Sequence, residues 1–251
     1  MVACARSGKP DLAKHASMNA PLAAIALALT FLPFVVKRVA VLGLPEVWYW
    51  LAWDYGARLV VLVGIALAYR SKLIEPALRR APAHLATQYF LLVLVAVLFL
   101  QWVVYWLYAP HLRYLEWFQP PYIRNTALAV FDLTAGILLV AVSEELAFRR
   151  LLFALLQRLG LGVHAVVLIS ATIFGLIHLT SGLADTLNAF LAGILLGHLF
   201  HATGRLGLCI AVHYVDDLTV YWWRATVSGA LRSNLPTARS RFATSCGSCP
   251  A

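Results

Sequence analysis

Apolar residues run along this chain in blocks, at about 20–36, 47–69, 86–108, 126–157, 162–180, 184–202 and 206–223, separated by short polar or Pro/Gly-bearing connectors. A helix of about 20 apolar residues crosses ~30 Å of hydrocarbon, so each block predicts one span. The pattern predicts an all-α, polytopic transmembrane helical bundle of about seven spans, within a range of six to eight. The first block is the most irregular: Lys37-Arg38 interrupts an apolar stretch that resumes to Leu44, and Pro33 lies inside it. A kink, or an extra re-entrant or interfacial piece, is the expectation there. On this pattern residues 1–19 form a basic tail, 20–125 a set of N-terminal transmembrane helices and 126–225 a helical core. Residues 226–251, rich in Ser, Thr, Arg and Gly, are expected to be disordered.

Composition agrees with the pattern. Hydrophobic residues make up 62% and charged residues 12% of the chain, and the mean hydropathy is +0.79, which excludes an ordinary soluble domain. A net charge of +9 raises nucleic acid as a partner. The Lys and Arg residues cluster between apolar blocks, however, as topology signals and contacts with anionic lipid do. The partner predicted is the lipid bilayer, with no nucleic acid. The connector with Arg70, Lys72, Arg79 and Arg80 is predicted to be cytoplasmic, and Arg149, Arg150, Arg158 and Arg205 fit the same side. With seven spans the Arg-bearing tail after Arg224 falls on the opposite side, against the rule. Arg6, Lys9 and Lys14 before the first block resemble a signal sequence without a small-residue cleavage site, so a retained signal anchor is expected.

Several residue groups have a plain reading. Cys4, Cys209, Cys246 and Cys249 are too few and too peripheral for a disulfide scaffold, and the CxxC spacing of Cys246 and Cys249 is weak evidence by itself. Trp48, Trp50, Trp53, Trp102, Trp106 and Trp117 lie near span ends, where indoles anchor at headgroup level. Gly193 and Gly197 have the small-xxx-small spacing of two closely packed helices.

The ionisable residues inside the spans carry the chemistry. Such a group costs about 3 kcal/mol or more at the bilayer centre, so each asks for a partner or a task. The fourth block holds Asp132, Glu144, Glu145, Arg149 and Arg150. Glu145 and Arg149 are four apart and predict an ion pair, while Glu144 points about 100° away. His178 ends the next block, and His213 and Asp217 share a face of the last. Counted from the turn at Gly160–Gly162, Glu144 and His178 both lie ~24 Å into their helices. His213 and Asp217 lie ~14–20 Å from the turn near Gly204, close to the same level. Two carboxylates and two imidazoles can therefore meet in one buried cavity, either as a structural polar network or as a site.

These residues carry a resemblance. Glu144-Glu145-Leu-Ala-Phe-Arg149 is similar to the EExxxR motif of the CAAX-protease and bacteriocin-processing (CPBP, Abi) family of intramembrane proteases. Phe174-Gly-Leu-Ile-His178 resembles its FxxxH motif, and His213-Tyr-Val-Asp-Asp217 its closing HxxxN, with Asp217 standing where the family has Asn. The likeness, to the type II CAAX prenyl endopeptidase kind, covers about Thr126 to Trp223. It implies that 126–225 is the catalytic core of a glutamic intramembrane endopeptidase, with Glu144 as base, His178 holding the water and His213 stabilising the oxyanion. Glu145, paired with Arg149, takes a positioning part; Asp217 orients His213 or, if protonated, donates a hydrogen bond, and Phe174 supports the site.

The resemblance implies no cofactor. The alternative is zinc held by His178, His213, Asp217 and Glu144, and His198 with His201 is a further candidate metal pair. The implied partner is a membrane-associated or lipidated protein or peptide, and the expected location is a bacterial inner (plasma) membrane. Outside proteolysis, two readings compete: a non-catalytic membrane immunity or scaffold protein, and a proton-coupled transporter. The second lacks the inverted repeats and broken helices that transport favours.

Overall fold

The computed structural model describes residues 20–40, 46–74, 80–108, 123 and 125–234, with the side chains of 38–40, 108 and 222–234 outside that description. Every regular element among the described residues is helical. The apolar blocks become α1 (Ala20–Ala40), α2 (Val47–Arg70), α3 (Ala83–Tyr108), α4 (Thr126–Arg158), α5 (Val163–Leu176), α6 (Leu183–Thr203) and α7 (Leu206–Asn234). By length and composition α1, α2, α3, α4 and α6 can each cross a membrane, which makes the chain an integral membrane protein of the expected all-helical class. The expected signal-anchor residues before α1, Trp117, the CxxC pair and the tail after Asn234 lie outside the described residues.

Three local features depart from the apolar pattern. First, α1 continues through Pro33 and Lys37 without a break; Lys37 is accommodated because its ammonium pairs with Asp54 of α2. Second, α4 is α-helical with two π-helical stretches, Asp132–Gly136 and Leu146–Leu152. The second begins directly after Glu144 and Glu145, and such inserted turns re-aim side chains without ending a helix. Third, α5 ends at Leu176, short of the predicted 180. A 3₁₀ turn, Leu179–Ser181, follows, and then Gly182 at φ 112°, a conformation that excludes most side chains.

At one end of the bundle the turns after α2, α4 and α6 are tied together. Ala81 N donates to Thr203 O, Arg205 Nη2 to Ala81 O, and Arg158 Nη2 to the Lys72 carbonyl. Arg150, also at this end, donates to the Tyr69 hydroxyl. Arg149 does not belong to this basic face: it is 1% exposed and points into the bundle.

Helices α5 and α6 pack closely at the expected small-residue pair. A Cβ on Gly193 would stand 3.1 Å from Ala171, and one on Gly197 3.1 Å from Val167 and 3.2 Å from Phe153. Helices α1 and α2 share one core with the C-terminal helices: Phe148 of α4 meets Phe31, Phe34 and Phe174 edge-on or tilted. Cys209, read from sequence as peripheral, is fully buried, and its thiol faces the Leu196 carbonyl. Trp48, Trp53, Trp102 and Trp106 are exposed as expected of anchors, whereas Trp50 is buried and faces the interior.

Candidate active site

A cavity of about 140 Å³ lies in the half of the bundle away from the basic turns. That is room for several water molecules. Its wall includes Glu144, His178, His213, Asp217 and Phe174, so the cavity gathers residues of α4, α5 and α7 as the level-matching predicted.

His213 stands at the centre. Its Nδ1 lies 2.8 Å from Glu145 Oε1, and its Nε2 lies 3.5 Å from Asp217 Oδ2 and 3.8 Å from Glu144 Oε2. The imidazole thus separates the two adjacent glutamates, one on each nitrogen. Glu145 turns its other oxygen to Arg149, with Oε2 3.1 Å from Nε, and this is the predicted four-residue ion pair. Both partners are almost completely buried. The Arg149 guanidinium also lies 4.6 Å above the Phe174 ring, a cation–π contact in a low-dielectric setting. Phe174 in turn stands edge-on to His178 and His213, with centroids at 4.9 and 5.8 Å. The residue therefore braces both imidazoles and the arginine.

His178 owes its place to the early end of α5. Its Nδ1 lies 2.8 Å from the Phe174 carbonyl, one of the orphan acceptors at a helix C-terminus. A carbonyl only accepts, so Nδ1 carries the hydrogen, and in the neutral ring Nε2 is a lone pair.

Helices α2 and α3, which carry none of the sequence motifs, also reach the site. Arg58 of α2 donates from Nη1 to Glu144 Oε1 at 3.0 Å and to Ser143 Oγ at 3.2 Å. It also clasps Asp54 from Nε and Nη2 at 3.2 and 3.4 Å, and Asp54 receives Lys37 of α1. Tyr55 donates to Asp132 Oδ1 at 2.6 Å. On the opposite wall Asp216 is buried, and Gln101 of α3, with its amide nitrogen turned inward, donates to Asp216 Oδ1 at 2.8 Å. Tyr105 of α3 donates to Asp185 of α6 on the same side. The only sequence sign of these partners is a charged or polar residue within an apolar block, for which Arg58 and Asp54, four apart on α2, qualify.

Among the described residues no three His, Cys, Asp or Glu side chains converge in a way that could hold a metal ion. Glu144 Oε1 is held by a guanidinium and His213 Nδ1 is engaged by Glu145, which leaves Glu144 Oε2 and His213 Nε2 on the cavity side. At the basic end His198 lies beside His164, with centroids 5.8 Å apart, and both are exposed, as is His201. No three-ligand group forms there either.

The fold and the site define a polytopic helical membrane protein with a buried carboxylate and histidine centre open to a small polar cavity. Residues 126–219 match the family model described as Type II CAAX prenyl endopeptidase Rce1-like, so this part of the chain is similar to that family. The matched segment runs from the first turn of α4 to two residues past Asp217 in α7 and includes every motif residue discussed above. No curated protein and no solved structure matches the chain.

Proposed function

We propose that this protein is a glutamic intramembrane endopeptidase that hydrolyses a peptide bond in a membrane-associated or lipidated protein, in the plasma membrane of a bacterium. The observation that carries the reading is the approach of Glu144 Oε2 to His213 Nε2, at 3.8 Å, on the wall of a cavity that His178 also lines. A water in the cavity beside this pair can donate to the free carboxylate oxygen.

Glu144 takes a proton from a water held by His178 Nε2 as the water oxygen attacks the scissile carbonyl carbon. The electron pair of the C=O bond moves to oxygen, and the developing oxyanion accepts a hydrogen bond from His213 Nε2. One such donor is worth about 3 kcal/mol in acyl-transfer enzymes. His213 supplies that donor as the doubly protonated ring, with Nδ1 donating to Glu145 and Nε2 facing the cavity. Asp217 orients the ring from the Nε2 side, and Arg149 keeps Glu145 in place. When the C–N bond breaks, the proton on Glu144 passes to the departing amine, which leaves a carboxyl product and a free amine and restores the carboxylate.

The test is cleavage of a lipid-modified C-terminal peptide by purified protein in detergent or liposomes, with Glu144→Gln alongside. Cleavage by the wild type and none by the variant supports the reading. Binding of the peptide without cleavage by the wild type overturns it in favour of a scaffold or immunity role.

A further inference from the structure

The α1–α2 hairpin lies outside the segment that matches the protease family, yet it ends in a chain of charges aimed at Glu144. Lys37 of α1 pairs with Asp54; Asp54 takes the Nε and Nη2 edge of Arg58; and Nη1 of Arg58 meets Glu144 Oε1 at 3.0 Å and Ser143 Oγ at 3.2 Å. Asp54, Arg58, Ser143 and Glu144 are all buried. A buried arginine is costly unless its donors are met, and a guanidinium is a rigid fork whose two edges can be read by two carboxylates at once. Asp54, one turn before Arg58, fixes the plane of the fork from one edge, so the other edge has one direction left in which to point. That direction is Glu144 Oε1. The second oxygen, Oε2, has no hydrogen-bond partner among the described residues and is the one that approaches His213 Nε2.

We propose that Arg58 is a positioning residue for Glu144: it ties down one carboxylate oxygen so that the other is presented to the cavity and to His213. The assignment rests on Glu144 being the base. It makes α2 a working part of the site rather than a generic membrane helix, and it makes Lys37 and Asp54 the outer members of the same relay. Lysine is a poor substitute, because a single ammonium cannot clasp Asp54 and Glu144 along separate edges.

The experiment measures peptide cleavage and thermal unfolding for full-length wild type, Arg58→Ala, Arg58→Lys and Glu144→Gln, each with and without millimolar methylguanidinium. For Arg58→Ala the expected result is a kcat loss of about 100-fold, the scale of a misplacement near 1 Å, at wild-type KM. Methylguanidinium restores part of this activity and has no effect on Glu144→Gln. Near-wild-type kcat in Arg58→Ala, with Glu144→Gln inactive, overturns the proposal and leaves Glu144 as the base. A loss that tracks a lowered unfolding temperature and ignores methylguanidinium also overturns it, because Arg58 is then a strut. Activity in Glu144→Gln removes the reading on which the proposal stands. If Arg58→Ala does not accumulate, Arg58→Lys decides: reduced kcat at unchanged KM supports the fork, and wild-type kcat overturns it.

Discussion

His213 Nδ1 lies 2.8 Å from Glu145 Oε1, a hydrogen bond between residues 68 apart in sequence that joins α7 to α4 in the interior. It divides the labour of two neighbouring glutamates. Glu145, held between His213 and Arg149, has both oxygens directed at fixed groups. Glu144, next to it, is turned by the helix to the cavity side, where His213 presents its other nitrogen. The consecutive acids thus differ in setting: Glu145 is enclosed between fixed groups and Glu144 lines the cavity.

Glu144→Gln keeps the size and shape of the side chain and removes the carboxylate proposed as the base. The expected outcome is a fall in kcat of about 1,000-fold or more, the upper part of the range for acid–base groups. Membrane accumulation and unfolding temperature stay near wild type, measured by immunoblot and by melting in detergent.

Arg149→Ala strands the Glu145 carboxylate at a place where it is fully buried. Breaking a buried pair from one side costs about 3–5 kcal/mol, so folded yield and unfolding temperature both drop. An unchanged melting curve would contradict the buried placement of Arg149.

Gly193→Val tests the contact of α5 with α6. Its Cβ would start 3.1 Å from both the Cα and the Cβ of Ala171, and forced overpacking of this kind costs about 1–3 kcal/mol. Thermal unfolding should show the loss, with kcat affected only as far as α5 carries Phe174 and His178 with it.

Asp217→Asn separates water activation by glutamate from metal-assisted hydrolysis. Asp217 Oδ2 faces His213 Nε2 at 3.5 Å, and an amide of the same shape fills that place and brings the NH₂ donor that Asp lacks when ionised. Much of the activity should survive, without sensitivity to chelators. Joint loss of activity and bound zinc, measured by elemental analysis of variant and wild type prepared side by side, would favour the metal mechanism instead.

Much of the site was legible in the chain because charge within an apolar block is conspicuous. The Glu145–Arg149 pair follows from helical spacing, and the common level of Glu144 and His178 from counting residues away from one turn. The small-residue pair Gly193 and Gly197 likewise predicted the close approach that α5 and α6 make. Spacing along a helix is a local property, and a single helix carries it without help from its neighbours.

The sequence by itself determined an all-helical membrane bundle and the set of ionisable residues that must be dealt with inside it, since the cost of an unpaired charge in lipid does not depend on which helices meet. What the tertiary structure alone decided is the pairing. Nothing in the spacing of Arg58 says that it meets Glu144, 86 residues later, or that Trp50 turns inward while Trp48 and Trp53 face outward. The π-helical stretch after Glu145 and the early end of α5 also escape the apolar pattern, because residues of equal hydropathy fill either geometry. Hydropathy records how much each residue gains by leaving water; which polar groups then find each other is set by the faces that packed helices turn to one another, and that information is shared between distant segments.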